Sequence, residues 1–315
     1  MGKAFGSNAE MRIGFPPSYG AIMATCRKIP FVSTSLGASQ GLDENPEIGN
    51  GREPAPTTDG AIDGQNRNIA TTVDLNNIYY FLRLLCGDPV VTNNVDDYTY
   101  TFISGKALVD GYIETGFPLM PEYVGHLGIK MESMSFPFQR EGTPQINMVV
   151  HQQGEDSNAA SQVTATLPDL ARLLVSSFQG AIKMDGTQVA SVQSGELTIA
   201  NGLDPDLTIR SDGKVDGYDD GVQSAKGRFQ VRYQTGAVKT AVDARTAVEL
   251  EFSYQINATQ SLIITVHEVK LPKPITEVSG PGGINVTYDF SGEKDSGLGK
   301  SFTIELKNQI ADYTV

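Results

Sequence analysis

Apolar and polar positions alternate with period two along several stretches of this chain, and such alternation predicts half-buried strands. Ala70 to Leu75, Tyr98 to Ser104 and Lys130 to Phe138 read as strands in the first half, by alternation or by β-branched and aromatic content. Phe229 to Tyr233, Ala247 to Ile256, Ser261 to Val269 and Asn285 to Phe290 do so in the second. Turn signals divide them at Asp88-Pro89, Asn93-Asn94, Asp185-Gly186, Ser211-Asp212-Gly213 and Gly280-Pro281-Gly282-Gly283. Two segments switch to helical spacing. Asn76 to Cys86 carries Ile78, Phe81, Leu82 and Leu85 on one face, with Gly87 placed as a C-cap. Pro168 to Phe178 carries Leu170, Leu173, Leu174 and Phe178, with Gly180 following. Both stripes read as faces packed on a sheet. The expected fold class is mainly β, as barrel or sandwich domains flanked by short helical segments.

Four landmarks recur in the same order about half a chain apart, which predicts a diverged internal duplication. Gly41-Leu42-Asp43 recurs as Gly202-Leu203-Asp204, and Asp59 to Gly64 as Asp212 to Gly217. Gly128 to Glu132 is matched with Gly283 to Thr287, and the strand Gln145 to His151 with Ser301 to Lys307. The expected domains are residues 1–160 and 161–315. The second half offers no clear partner for the first helix, unless Thr240 to Val248 forms a shorter one. Pro168 to Phe178 would then belong to the connection. Gly37 to Asn68 reads as a long loop, rich in Gly and Pro. Loops beyond about 12–15 residues are usually functional or disordered, so this one is a candidate interaction arm.

Composition narrows the function. The 315 residues hold 37 Asp and Glu against 24 Lys and Arg, a formal net charge of −13. That argues against a protein that grips nucleic acid by neutralising phosphates. No apolar run approaches the length of a membrane helix. Met1 to Phe15 lacks the apolar core of a secretory signal. The two cysteines, Cys26 and Cys86, are expected as reduced, buried thiols.

Candidate chemistry is sparse. His126, His151 and His267 have no metal-ligand partner at useful spacing, and are expected as solvated or hydrogen-bonded structural residues. His151 and His267 alternate with apolar neighbours, which puts them on a solvated or interface-facing side. Asp204, Asp206, Asp212, Asp216, Asp219 and Asp220 form the best cation candidate, but the spacing fits no EF-hand and Arg210 and Lys214 interrupt it. A solvated turn is the better reading. Glycosidase chemistry needs two carboxyls facing one cleft, and no such pair can be placed. No catalytic, cofactor or metal residue is assigned.

The opening Met11-Arg-Ile-Gly-Phe15, Ser18-Tyr-Gly20 and Ile29 to Ser35 resembles the start of the major tail tube proteins of long-tailed, siphovirus-like bacteriophages. So do Gly51-Arg52-Glu53-Pro54 followed by Asp59-Gly60, Glu196 to Asp204 with Gly227 to Tyr233, and Gly280 to Tyr288. The resemblance implies a structural, non-enzymatic virion protein without cofactors. Copies of the chain would form stacked rings, either trimers with pseudo-sixfold symmetry or hexamers, through which genomic DNA passes at ejection without specific binding. It implies self contacts within and between rings. Its other partners would be tail proteins at the tube ends: tape measure, tail terminator and distal tail protein. The location would be the virion tail, assembled in the bacterial host cytoplasm, with no membrane partner. Glu132, Glu249 and Glu251 are the candidate lumen-facing acids. Gly51, Arg52, Glu53, Pro54 and Asp59 form the candidate inter-subunit loop. The alternative is another β-rich virion component, such as a head-tail connector, a capsid decoration or an adhesin module.

Overall fold

The alternating stretches become strands in the computed structural model, which describes residues 3–49, 52–233, 236–276 and 280–314. In chain order the first half holds β1 Glu10–Gly14, β2 Thr25–Ile29, β3 Ser33–Thr34, β4 Ser39–Glu44, β5 Thr57–Asp63, β6 Arg67–Thr72 and helix α1 Tyr79–Cys86. It continues with β7 Val90–Asn93, β8 Tyr98–Ile103, β9 Gly111–Phe117, β10 Glu122–Gln139, β11 Gln145–His151 and β12 Gly154–Asn158. Then come β13 Ala165–Leu167, β14 Gly180–Met184, β15 Thr187–Gln188, β16 Val192–Ala200, β17 Asp204–Asp206, β18 Gly217–Asp219 and β19 Ser224–Arg232. Helix α2 Ala237–Ala244 leads to β20 Val248–Asn257, β21 Gln260–Lys270, β22 Asn285–Glu293 and β23 Phe302–Asn308.

One set of antiparallel pairings occurs twice. In the first half β1 pairs with β2 and β9, and β10 pairs with β9, β11 and β12. β6 pairs with β11 and β3, and β4 with β5. In the second half β14 pairs with β15 and β20, and β21 pairs with β20, β22 and β23. β19 pairs with β22 and β16, and β17 with β18. The first two sequence landmarks fall in matching hairpins: Gly41 to Asp43 on β4 answers to residues that lead into β17, and Asp59 to Gly64 on and after β5 to residues that lead into β18. The last two do not. By pairing, β10 answers to β21 rather than β22, and β11 to β22 rather than β23. Local alternation is common to all these strands, so it cannot distinguish one neighbouring strand from the next.

β10 and β21 are the long strands that join layers. The first part of β10 lies between β9 and β12, and its last part lies between β11 and β16. The register slips between His126 and Ile129, where Gly128 at φ +60° takes a conformation that other residues avoid. β21 slips likewise between Val266 and Val269. The result is one front sheet in the order β3–β6–β11–β10–β16–β19–β22–β21, with two back sheets behind it. The first back sheet is β2–β1–β9–β10–β12, with β13 parallel to β2. The second is β15–β14–β20–β21–β23, extended by β8 and β7 from the first half.

Apolar positions of the alternation face inward and form a core shared by both halves. Phe136, Ile146, Leu197, Phe229, Leu250 and Ile304 are each 0% exposed. Each such side chain contributes roughly 1.5–3 kcal/mol by leaving water. Gly227 on β19 sits where a Cβ would come within 2.1 Å of the Glu196 carbonyl and 2.7 Å of the Phe290 ring. Only glycine lets β16, β19 and β22 approach so closely.

The expected first helix forms, and all of α1 except Arg83 is buried. Gly87 at φ +76° ends it, donating its N–H to the Arg83 carbonyl at 2.9 Å. Tyr79 stacks on Tyr313 with ring centroids 3.9 Å apart, which pins the C-terminal tail to this helix. The second half does have a helix in the matching place, α2, with Val238, Ala241 and Val242 buried.

Two expectations are corrected. Pro168 to Phe178 is no helix. It runs extended, bridges Leu174 to Asp74, and closes with a short 3-10 turn at Ser177–Gln179. The buried Asp74 carboxylate accepts the Leu173 N–H at 3.0 Å and the Arg172 Nε–H at 3.0 Å, and those bonds outweigh helical propensity. Gly37 to Asn68 is not structureless either, because most of it is the β4–β5 hairpin.

Candidate assembly surface

The front sheet turns one face to the core and one outward. A row of paired residues crosses it from edge to edge: Ser33, Ala70, Asn147, Ser135, Thr198, Lys226, Ser291 and Lys270. None is buried. Along this row the first-half strands and β16 carry small or uncharged side chains, whereas β19, β22 and β21 add Lys226, Lys270 and, beside the row, the ion pairs Arg228–Glu196 and Lys270–Glu293. Ser135 and Thr198 hydroxyls meet at 2.7 Å across the joint between halves. That joint is a run of pairs from Ser133↔Ala200 to Gln139↔Ser194. Asn201 locks its end: its side-chain amide donates to the carbonyls of Met131 at 2.7 Å and Leu85 at 3.1 Å.

Two hairpins project beside this sheet. β4–β5 has almost no buried residue, and Leu42 is 65% exposed. A two-stranded ribbon with both faces in water has little burial of its own to hold it. Between β17 and β18, Leu207 and Ile209 are exposed as well. The hairpins touch where the Ile62 N–H donates to the Gly213 carbonyl at 2.9 Å. Arg52, Glu53 and Pro54 lie exposed in the connection from β4 to β5, and Asp59 on β5 is opposite Leu42. Gly51 lies outside the described residues.

The three acids expected at a lumen do not share one surface. Glu132, on β10, accepts the Leu203 N–H at 2.9 Å and lies 3.8 Å from His151. Glu249 and Glu251 stand on β20 in the second back sheet, alternating with buried Val248, Leu250 and Phe252 as the sequence predicts. Glu251 pairs with Lys183 at 2.7 Å, and Glu249 meets His267 Nδ1 at 3.1 Å.

Long antiparallel strands, a front sheet continuous across both halves and exposed hairpins are what a self-assembling structural protein would need. The sequence profile of the phage tail tube proteins matches residues 6–292, nearly the whole chain. The chain belongs to the phage tail tube protein family. No curated protein matches it. Membership makes it a structural component of the virion tail.

The remaining candidate chemistry of this tail tube protein is structural. His126 and His151 are 1% and 5% exposed and both are hydrogen-bonded, His151 accepting the Asn66 N–H at 3.0 Å, so the solvated or interface-facing side expected for His151 is corrected. His126 pairs with the buried Ile113 on the inward face of the first back sheet and meets Thr115 Oγ1, 3.0 Å from its Nε2. Burial pushes its pKa down to about 4. His151 is covered by the β17–β18 hairpin, its ring 5.0 Å from that of Tyr218, and burial lowers its pKa as well. His267 Nε2 lies 2.7 Å from Thr303 Oγ1. Among the acids of the Asp-rich stretch, Asp212 and Asp216 are taken by Arg210, whose hydrogen bond holds the Asp212 carboxyl well below its usual range. Among the described residues no three His, Cys, Asp or Glu lie close enough to hold a metal ion, and no helix is long and apolar enough to cross a membrane. Cys26 and Cys86 are free and buried, and burial raises the Cys26 thiol to about 12.

Proposed function

We propose that this tail tube protein builds the conduit for genomic DNA by ring formation and stacking, with the outward face of the front sheet as the lumen wall. The observation that carries the reading is the β10–β16 joint, which makes one sheet out of strands from both halves. A sheet that continues through a joint inside the chain is suited to continue through joints between chains. Five residues of its outward row are Ser, Thr or Asn, and the nearby cations Lys270 and Arg228 are paired with Glu293 and Glu196, so a phosphate backbone meets no dense positive field. The net charge of −13 adds a repulsive background. Glu132 beside His151, Glu249 beside His267 and Glu251 paired with Lys183 contribute to that background from separate positions rather than as a lumen ring.

The twice-used set of pairings supports two tail tube units, residues 1–160 and 161–315, derived by duplication. With two units per chain, a trimer presents six, and a ring of pseudo-sixfold symmetry follows. The β4–β5 hairpin, including Arg52, Glu53, Pro54 and Asp59, is the element proposed to bridge to the next ring. Tape measure, terminator and distal tail proteins would meet the tube at its ends. No reaction is assigned to the protein. Negative-stain microscopy of the purified chain at high concentration tests the reading. Rings or tubes with a central channel are expected, and a chain that stays monomeric under every assembly condition overturns it.

A further inference from the structure

The joint between the halves has a vacant counterpart at the two ends of the front sheet. β16 lies between β19 on one side and β10 on the other. Its counterpart β3 pairs with β6 on the matching side, and no described strand lies along its other edge. In the same way β10 takes β16 beyond Ile129. Its counterpart β21 runs on past Val269 as residues 271–276, beside which no described strand lies on the matching side. The two vacancies fit each other, but one chain cannot join them. They stand at opposite ends of an eight-strand row, and at about 4.8 Å per strand they are separated by some 30 Å or more along the sheet.

We propose that a second copy of this chain fills both vacancies, residues 36–39 just after β3 pairing antiparallel with residues 273–276 of the neighbour. This rests on the tube reading above and names the seam of the ring. The internal joint sets the register. Phe136 faces Leu197 there. Ile129 and Val269 close the matching β9 and β20 ladders, so Phe136 answers to Thr276. Ser33 and Ser194 hold matching places against β6 and β19, so Leu197 answers to Leu36. Thr276 of one copy therefore faces Leu36 of the next.

The β3 edge carries an apolar side chain that the isolated chain leaves in water, Val32 at 49% exposed, while Ile275 at the other edge answers to Ser135 on the outward face. Pro272 and Pro274 fall where β10 has Glu132 and Met134. In the internal joint the Glu132 carbonyl accepts the Asn201 N–H at 2.8 Å, and Pro272 retains that carbonyl. The missing proline N–H groups deny the edge to stray strands, a usual protection of free sheet edges. The contact is heterologous, so it propagates from copy to copy until a ring closes.

A cysteine pair tests the seam. Residues facing each other across antiparallel strands have Cβ atoms about 4.5–5.5 Å apart, near the reach of a disulfide. Tubes of the double variant Leu36→Cys, Thr276→Cys are oxidised and run on a non-reducing gel. A ladder of covalent oligomers ending at the ring size is expected, absent from either single variant. Tubes that form without any ladder overturn the seam and leave the tube reading standing. An unmodified chain that makes neither rings nor tubes overturns both. Hydrogen exchange on the unmodified chain keeps the test open if the double variant does not assemble. Amides within 33–39 and 275–276 are expected to slow on assembly, and unchanged exchange there overturns the proposal.

Discussion

Asp74→Ala is expected to unfold the connection between the two halves at a large cost. The carboxylate is 1% exposed as a residue and serves five donors: the Asn76 N–H at 3.1 Å, the Asn77 N–H at 3.4 Å, the Leu173 N–H at 3.0 Å, Asn77 Nδ2 at 2.9 Å and Arg172 Nε at 3.0 Å. Removing it does not cost the same at each donor. The Arg172 side chain is 48% exposed, so water replaces its lost partner and the ion pair itself is worth little. Asn77 is 4% exposed and the segment around Asn76 is buried, so water does not reach those donors readily. A buried donor stranded in this way costs about 1–3 kcal/mol. With two such donors, Asp74→Ala is expected to lose roughly 3–5 kcal/mol, a large part of the stability of an ordinary domain. Asp74→Asn keeps the oxygen that serves the backbone donors and lets Asn77 turn its amide over, so it is expected to cost less than half as much. Arg172→Ala is expected to cost less than about 1 kcal/mol. Urea titration of dilute, unassembled protein, followed by circular dichroism, measures all three. A loss below 1 kcal/mol for Asp74→Ala would refute the reasoning. So would an Arg172→Ala variant as unstable as Asp74→Ala, because the charge pair rather than the stranded donors would then dominate.

Acid is expected to weaken the fold before the carboxylates titrate. His126 is held neutral to about pH 4 by burial, whereas an unfolded histidine binds its proton near 6.5, so stability falls as pH drops through that window by up to about 3 kcal/mol. Denaturant midpoints between pH 7 and 4 should show the slope, and an equal slope in His126→Gln would remove His126 as its cause. Deleting the hairpin, residues 39–63 replaced by a short link, should leave the thermal unfolding of the monomer nearly unchanged while blocking long tubes under the microscope. Tubes of ordinary length would rule out the bridging role. Gly227→Val should cost at least about 2 kcal/mol, because its Cβ meets a backbone carbonyl that cannot move aside cheaply. A variant as stable as the unmodified chain in the same titration would contradict the close approach of β16 and β19.

What the sequence revealed and what it hid have separate physical causes. Strands such as Ala247 to Ile256 were legible because one face is buried along the whole length, so the period-two pattern is uninterrupted. α1 was legible because its apolar stripe is continuous and a left-handed glycine ends it. Pro168 to Phe178 misled because its leucines at helical spacing face different neighbours. Leu173 packs on the core while Leu174 is 48% exposed, an arrangement imposed by Asp74 about a hundred residues away. His151 misled for a related reason: a hairpin from the other half covered it. Landmarks near the turns located matching hairpins, but those on strands matched neighbours one place off, since every strand of these sheets alternates alike. The surface proposed for assembly was the least legible part. Ser135, Asn147 and Thr198 are unremarkable in the chain and become a continuous face only when pairings from both halves set them in one row. A repeat therefore tells more through its connectivity than through its letters. The pairings that occur twice identify matching elements, and the front-sheet joint made within the chain indicates what its two unmatched edges lack.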